Sequence, residues 1–191
     1  MTSANRSRNN SKMFRRTLTC LLAFGLLASA VFAADLAETR KKAESGDAIA
    51  QFNLGAMYDS GTGVPKDAVE AVKWFRKAAD QGNAYAQTNL GLCYQKGDGV
   101  PKDAVEAVKW FRKAADQGNA HAQYGLGLMY AIGTGVPKDL VQAHMWLNIA
   151  GVKGHENAKE NLALIEKLMT NSQKKKATDL ARELFARLEK K

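Results

Sequence analysis

The sequence predicts an all-α fold: a right-handed α/α solenoid of helical hairpins, with three full 36-residue repeats, a partial fourth and terminal capping helices. Three observations carry that expectation. Gly46, Gly82, Gly118 and Gly154 stand 36 residues apart, as do Tyr58, Tyr94 and Tyr130. Pro65, Pro101 and Pro137 share this register with Trp74, Trp110 and Trp146, which accounts for every Pro and Trp in the chain. Residues 63–84 and 99–120 are identical, both reading GVPKDAVEAVKWFRKAADQGNA. Inside each unit the apolar residues recur at helical spacing. A fixed period of this length marks a stacked array, in which a unit buries its apolar face only against its neighbours.

In chain order, residues 1–33 come first. Arg6, Arg8, Lys12, Arg15 and Arg16 precede an uncharged apolar run from Leu18 to Val31, followed by small residues up to Ala34. That order is the pattern of a secretory signal peptide. Val31 and Ala33 suit the positions before a cut at Ala34, and Ala28-Ser29-Ala30 offers an alternative cut before Val31. The apolar run is shorter than the roughly 20 residues a membrane span needs. Residues 34–42 are expected to form a capping helix: Leu36 to Ser45 aligns with the back half of a second helix, but Glu38 and Thr39 replace Trp and Phe, as suits a polar outer face.

The repeats then occupy 43–78, 79–114 and 115–150, with a partial unit over 151–170. The first helix of unit one is expected from about Asp47 to Tyr58, ended by a glycine-rich turn and Pro65. Asp67 is a good N-cap for the second helix, with Glu70 three residues on in capping-box position. Gly82 has the residue type that ends helices in the left-handed conformation, and Asn83 caps the next unit. Gly55, Ala71 and Ala78 are expected where paired helices approach closely, with Tyr58, Trp74 and Phe75 filling the space between. The fourth unit keeps Gly154, Ala158 and Leu162 but loses the glycine-rich turn and the Trp. In 171–191, Ala177, Leu180, Ala181, Leu184, Phe185 and Leu188 form one stripe of an amphipathic helix, expected to close the core. A membrane-surface helix is the alternative, but Asp179, Glu183 and Glu189 interrupt its basic face.

Charge excludes one class of function. The net charge of +9 invites a nucleic-acid reading, yet residues 34–165 hold fifteen bases and fifteen acids. The excess lies in the two ends, so no nucleic-acid partner is expected. Two cysteines, Cys20 and Cys93, exclude a disulfide framework and a four-cysteine metal site. Cys93 takes the place of Met57 and Met129 and reads as a core residue. His121, His144 and His155 belong to different helices and lack the spacing of a zinc pair. The glycine-rich turns follow helices and lack a G-K-[ST] ending, so they are not phosphate loops. No catalytic, cofactor or metal site is predicted.

The pattern L-G-x-M/C-Y, then G-x-G-V-P-K-D, then W-F-x-K-A-A-x-x-G resembles the Sel-one-like repeat, a relative of the tetratricopeptide repeat. The resemblance extends from Ala43 to about Leu168. It implies a concave groove lined by the first helices, where such proteins hold partners. By analogy with tetratricopeptide grooves, Ile49, Phe52, Ala56 and Asp59 face inward in unit one. Their counterparts are Tyr85, Thr88, Leu92 and Gln95, then His121, Tyr124, Leu128 and Ala131. At these positions the otherwise near-identical units differ most. Their apolar content, and aromatic residues above all, suits an interface. The expected function is an exported, periplasmic or secreted, non-catalytic scaffold binding a peptide or protein of the bacterial cell envelope. No membrane contact is expected once the signal is removed. The alternative is an envelope protein that binds or weakly hydrolyses peptidoglycan, β-lactams or exopolysaccharide. The paired cysteines of the relatives linked to β-lactams are missing here.

Overall fold

The computed structural model describes residues 35–190, so the expected signal peptide lies outside the described residues. Nine helices follow one another, with no strand among the described residues. They are α1 (35–44), α2 (Ala48–Ser60), α3 (Ala68–Asp80), α4 (Ala84–Lys96), α5 (Ala104–Ala115), α6 (Ala120–Ile132), α7 (Leu140–Val152), α8 (Glu156–Glu166) and α9 (Asn171–Leu188). No helix among the described residues is long and apolar enough to cross a membrane.

Local chemistry sets the helix ends. Asp47, Asn83 and Asn119 accept from the backbone N–H three residues on, at 2.7, 2.9 and 3.0 Å, which caps α2, α4 and α6. Asp67, Asp103 and Asp139 cap α3, α5 and α7 in the same way. The capping box expected at Asp67 is only half formed. Asp67 accepts from the Glu70 N–H at 3.0 Å, but the Glu70 carboxylate turns to the Lys73 ammonium at 2.8 Å.

Helices α2–α3, α4–α5 and α6–α7 pair as hairpins, and α3–α4, α5–α6 and α7–α8 join successive hairpins into a helical solenoid. Within a hairpin the close approach depends on missing side chains. A Cβ at Gly55 or Gly91 would stand 2.7 or 2.8 Å from the ring of Phe75 or Phe111, and one at Gly127 would stand 2.8 Å from Leu147. Those three large side chains are essentially sealed from solvent, as are Leu54, Leu90 and Leu126. Burial of this kind supplies most of the stabilisation, because a lone helix of this length is marginal in water.

Two polar series connect the units. Buried Gln51, Gln87 and Gln123 donate to the carbonyls of Ala43, Ala79 and Ala115 at 3.1, 3.0 and 3.1 Å. Gln51 and Gln87 also accept from Gln81 and Gln117, each at 2.7 Å. Gln51 and Gln87 thus each bind the helix end before them and the helix end after them, and Gln123 binds only the one before it. On another face, the guanidinium groups of Arg40, Arg76 and Arg112 donate to the hydroxyls of Tyr58, Tyr94 and Tyr130. Arg40 lies in α1, which therefore sits in the register of a second helix.

The carboxy-terminal end departs from the repeat. Asn148 and Glu166 stand where the next arginine and tyrosine would fall, and Glu166 pairs with buried His144 at 3.0 Å. Helix α9 packs chiefly along α7 instead of closing a hairpin with α8. Ala181 and Leu184 are buried there, with Leu180, Phe185 and Leu188 packed against the same core, and Ala177 is buried in the neighbouring cluster with Ile165 and Met169. The apolar stripe is thus turned inward, as a closing cap requires.

Candidate binding groove

The first helices of the hairpins share one face, which holds a groove of about 570 Å³. Helix α2 contributes Phe52; α4 contributes Tyr85, Thr88, Leu92 and Gln95; α6 contributes His121, Tyr124 and Leu128. These eight are brought together. Ile49 is not among the lining residues and points to solvent, 65% exposed, beyond the Phe52 end. Ala56, Asp59 and Ala131 lie outside the lining as well.

Aromatic contacts shape both ends. The Phe52 ring meets Phe75 below it at 6.1 Å and Tyr85 beside it at 5.9 Å, both tilted. Tyr85 remains 63% exposed, so most of its ring is open to a ligand. At the other end Tyr124 stacks on His155 at 4.1 Å, and His121 meets the same imidazole edge-on at 5.1 Å. Asn161 donates to the Tyr124 hydroxyl at 3.0 Å, which orients that ring. Thr88 is a wall and not a recognition group, because it is buried and its hydroxyl donates to the Ala84 carbonyl at 2.7 Å.

Sequence reasoning missed part of the lining: Asn89, Phe111, Asn119, Gly125, His155 and Asn157. A signal existed for two of them. Gly125 stands where the other units have Asn53, Asn89 and Asn161, and its missing side chain leaves the Phe111 ring as the groove floor. His155 takes the N-cap place held by Asn83 and Asn119 but makes no side-chain capping bond, and its ring joins the groove. Burial, and next the charge of nearby His121, hold the His155 imidazole below its ordinary pKa.

The remaining reactive groups lie away from the groove. Cys93 is buried, and burial pushes its thiol up to about 11, which suppresses the thiolate. His144 sits against Glu166 under the last hairpin. No group of three His, Cys, Asp or Glu side chains among the described residues could hold a metal ion.

The repeat geometry has a match among known families. The Sel1 repeat model matches residues 48–83, 84–119 and 120–155, together more than half of the chain. The chain belongs to the Sel1 repeat family. A crystal structure of a Sel1 repeat protein from Oxalobacter formigenes is 42% identical, with a TM-score of 0.62. That similarity covers 68% of this chain and 97% of the other. The crystal structure of c5321, a protective antigen present in uropathogenic Escherichia coli strains and displaying an SLR fold, is 34% identical with a TM-score of 0.60. It covers 81% of this chain, which spans 43% of c5321. No curated protein matches. Sel1 repeat proteins generally mediate protein–protein interaction, and their fold is typically a non-catalytic scaffold.

Proposed function

We propose that this Sel1 repeat protein is an exported, non-catalytic scaffold that holds a segment of an envelope protein or peptide in its groove. One observation carries the reading: residues that differ between otherwise near-identical units lie together in a single apolar cavity spanning three hairpins. A repeat that only had to stack would need no such variation there. The side chains displayed are large and apolar or aromatic, the types that dominate binding energy at interfaces. Export is supported by the basic, apolar and small-residue order of residues 1–33.

Photo-crosslinking from position 85 or 124 in living cells tests the groove. Capture of a discrete partner, lost when Tyr85 and Tyr124 are both replaced by Ala, is the expected result. An unchanged set of captured proteins would remove the groove from the function. Cell fractionation with amino-terminal sequencing tests export. A mature protein beginning near Ala34 in the periplasm or medium is expected, and an intact Met1 chain in the cytoplasm would refute it.

A further inference from the structure

We infer that the groove selects an uncharged segment carrying aromatic or leucine side chains; this rests on the peptide-binding reading above. A quarter of the chain is charged, and three other concavities on the described surface have ionic walls. Glu70, Lys73 and Arg76 line the one beside α3. Arg182 and Glu189 line the one between α7 and α9. The groove, by contrast, is lined without a single Asp, Glu, Lys or Arg. An ionised side chain seated there would give up water and find no carboxylate, ammonium or guanidinium to pair with, whereas an apolar one would only gain.

The polar groups that are present point the same way. Asn89, Gln95 and Asn157 are among the lining residues, and each side-chain amide carries two N–H donors and an acceptor oxygen. Neutral amides match the N–H and C=O groups of a peptide main chain, which carry no charge. The apolar lining, with Leu92 at the cavity edge, Leu128, and the Phe111 ring beneath Gly125, then reads the side chains. The two chemistries divide the work: amides hold the backbone, and the floor selects by apolar surface and by the cost of burying a charge.

Random peptides displayed on phage, selected against the full chain, provide the test. The expected clones are rich in Phe, Tyr, Trp and Leu and depleted of Asp, Glu, Lys and Arg in their binding core. Their binding is lost on Tyr85→Ala. Placing one Glu or Lys in the core of a selected synthetic peptide is expected to weaken it roughly tenfold or more. Leu92, at the cavity edge, permits a reciprocal variant that leaves the core intact. Leu92→Glu is expected to lose the uncharged clones and to favour Lys- or Arg-bearing ones, with helicity by circular dichroism unchanged.

Tyr85-dependent enrichment of acidic or basic clones would overturn the inference and leave the peptide scaffold standing. Absence of any Tyr85-dependent clone would remove both. In that case Tyr85-dependent binding of soluble peptidoglycan fragments, measured on the same protein, would assign the groove to glycans.

Discussion

The Gln117 amide donates to Gln87 Oε1 at 2.7 Å, and the Gln87 amide donates in turn to the Ala79 carbonyl at 3.0 Å. Gln87 is buried, so its polar atoms depend on these partners. Gln87→Leu removes both of these hydrogen bonds, while the Ala79 carbonyl keeps the Gly82 N–H and the exposed Gln117 amide keeps the Lys113 carbonyl, so a loss of about 0.5–1.5 kcal/mol is expected in urea unfolding. The series breaks at its last step. Lys153 stands where the next glutamine would fall, its ammonium goes to the Gly118 carbonyl at 3.2 Å, and Gln123 Oε1 has no partner. Lys153→Gln is therefore expected to stabilise the protein by about 0.5–1.5 kcal/mol. A destabilised Lys153→Gln, or a neutral Gln87→Leu, would show that the series does not hold the units together.

Gly91 marks the closest approach inside the second hairpin. An alanine Cβ there would stand 2.8 Å from the Phe111 ring, which is 1% exposed and has no room to retreat. Gly91→Ala is expected to cost about 1–3 kcal/mol, against the usual helix preference for Ala. Adding Phe111→Leu should recover part of that loss, so the two substitutions are non-additive in a double-mutant cycle. Strict additivity would mean that the ring and the new methyl group do not meet.

His155 links the groove to pH. Its folded-state pKa lies below the ordinary 6.5, so the unfolded chain accepts a proton that the folded chain resists. Its contribution is fully present above about pH 6.5 and is lost as the pH falls through the lowered folded value. His155→Asn restores the capping residue of the other units, worth about 1 kcal/mol, and gives up a stacked contact of similar size. Little net change is expected near pH ~7.5, with the variant becoming the more stable protein near pH ~5. Equal pH dependence in the two proteins would contradict the assignment.

Most of the fold was legible because its signals are local. The N-caps at Asp47, Asn83 and Asn119 and the turns closed by Pro65, Pro101 and Pro137 each depend on a few adjacent residues. The period then repeats that information unit after unit, so a hairpin array follows from its parts. Eight of the twelve proposed groove positions come together in the cavity because register places them on equivalent faces of α2, α4 and α6. Ile49, Ala56, Asp59 and Ala131 fall outside, since register assigns a face but not where the cavity ends.

What register could not supply is which unlike positions meet. Gln51 and Gln81 are 30 residues apart, and Arg76 and Tyr94 are 18 apart; neither spacing is a helical neighbour relation nor the period itself. Those contacts exist only after the hairpins stack. The same holds for His155, which reads as a failed cap in the chain but becomes the end wall of a groove against Tyr124. It holds again for α9, whose apolar stripe is plain in the sequence while its partner, α7 and not α8, is not. Short-range hydrogen bonding and apolar periodicity specify the helices and their order. Burial of one hairpin against the next specifies the neighbours, and with them the shape and the charge-free lining of the groove.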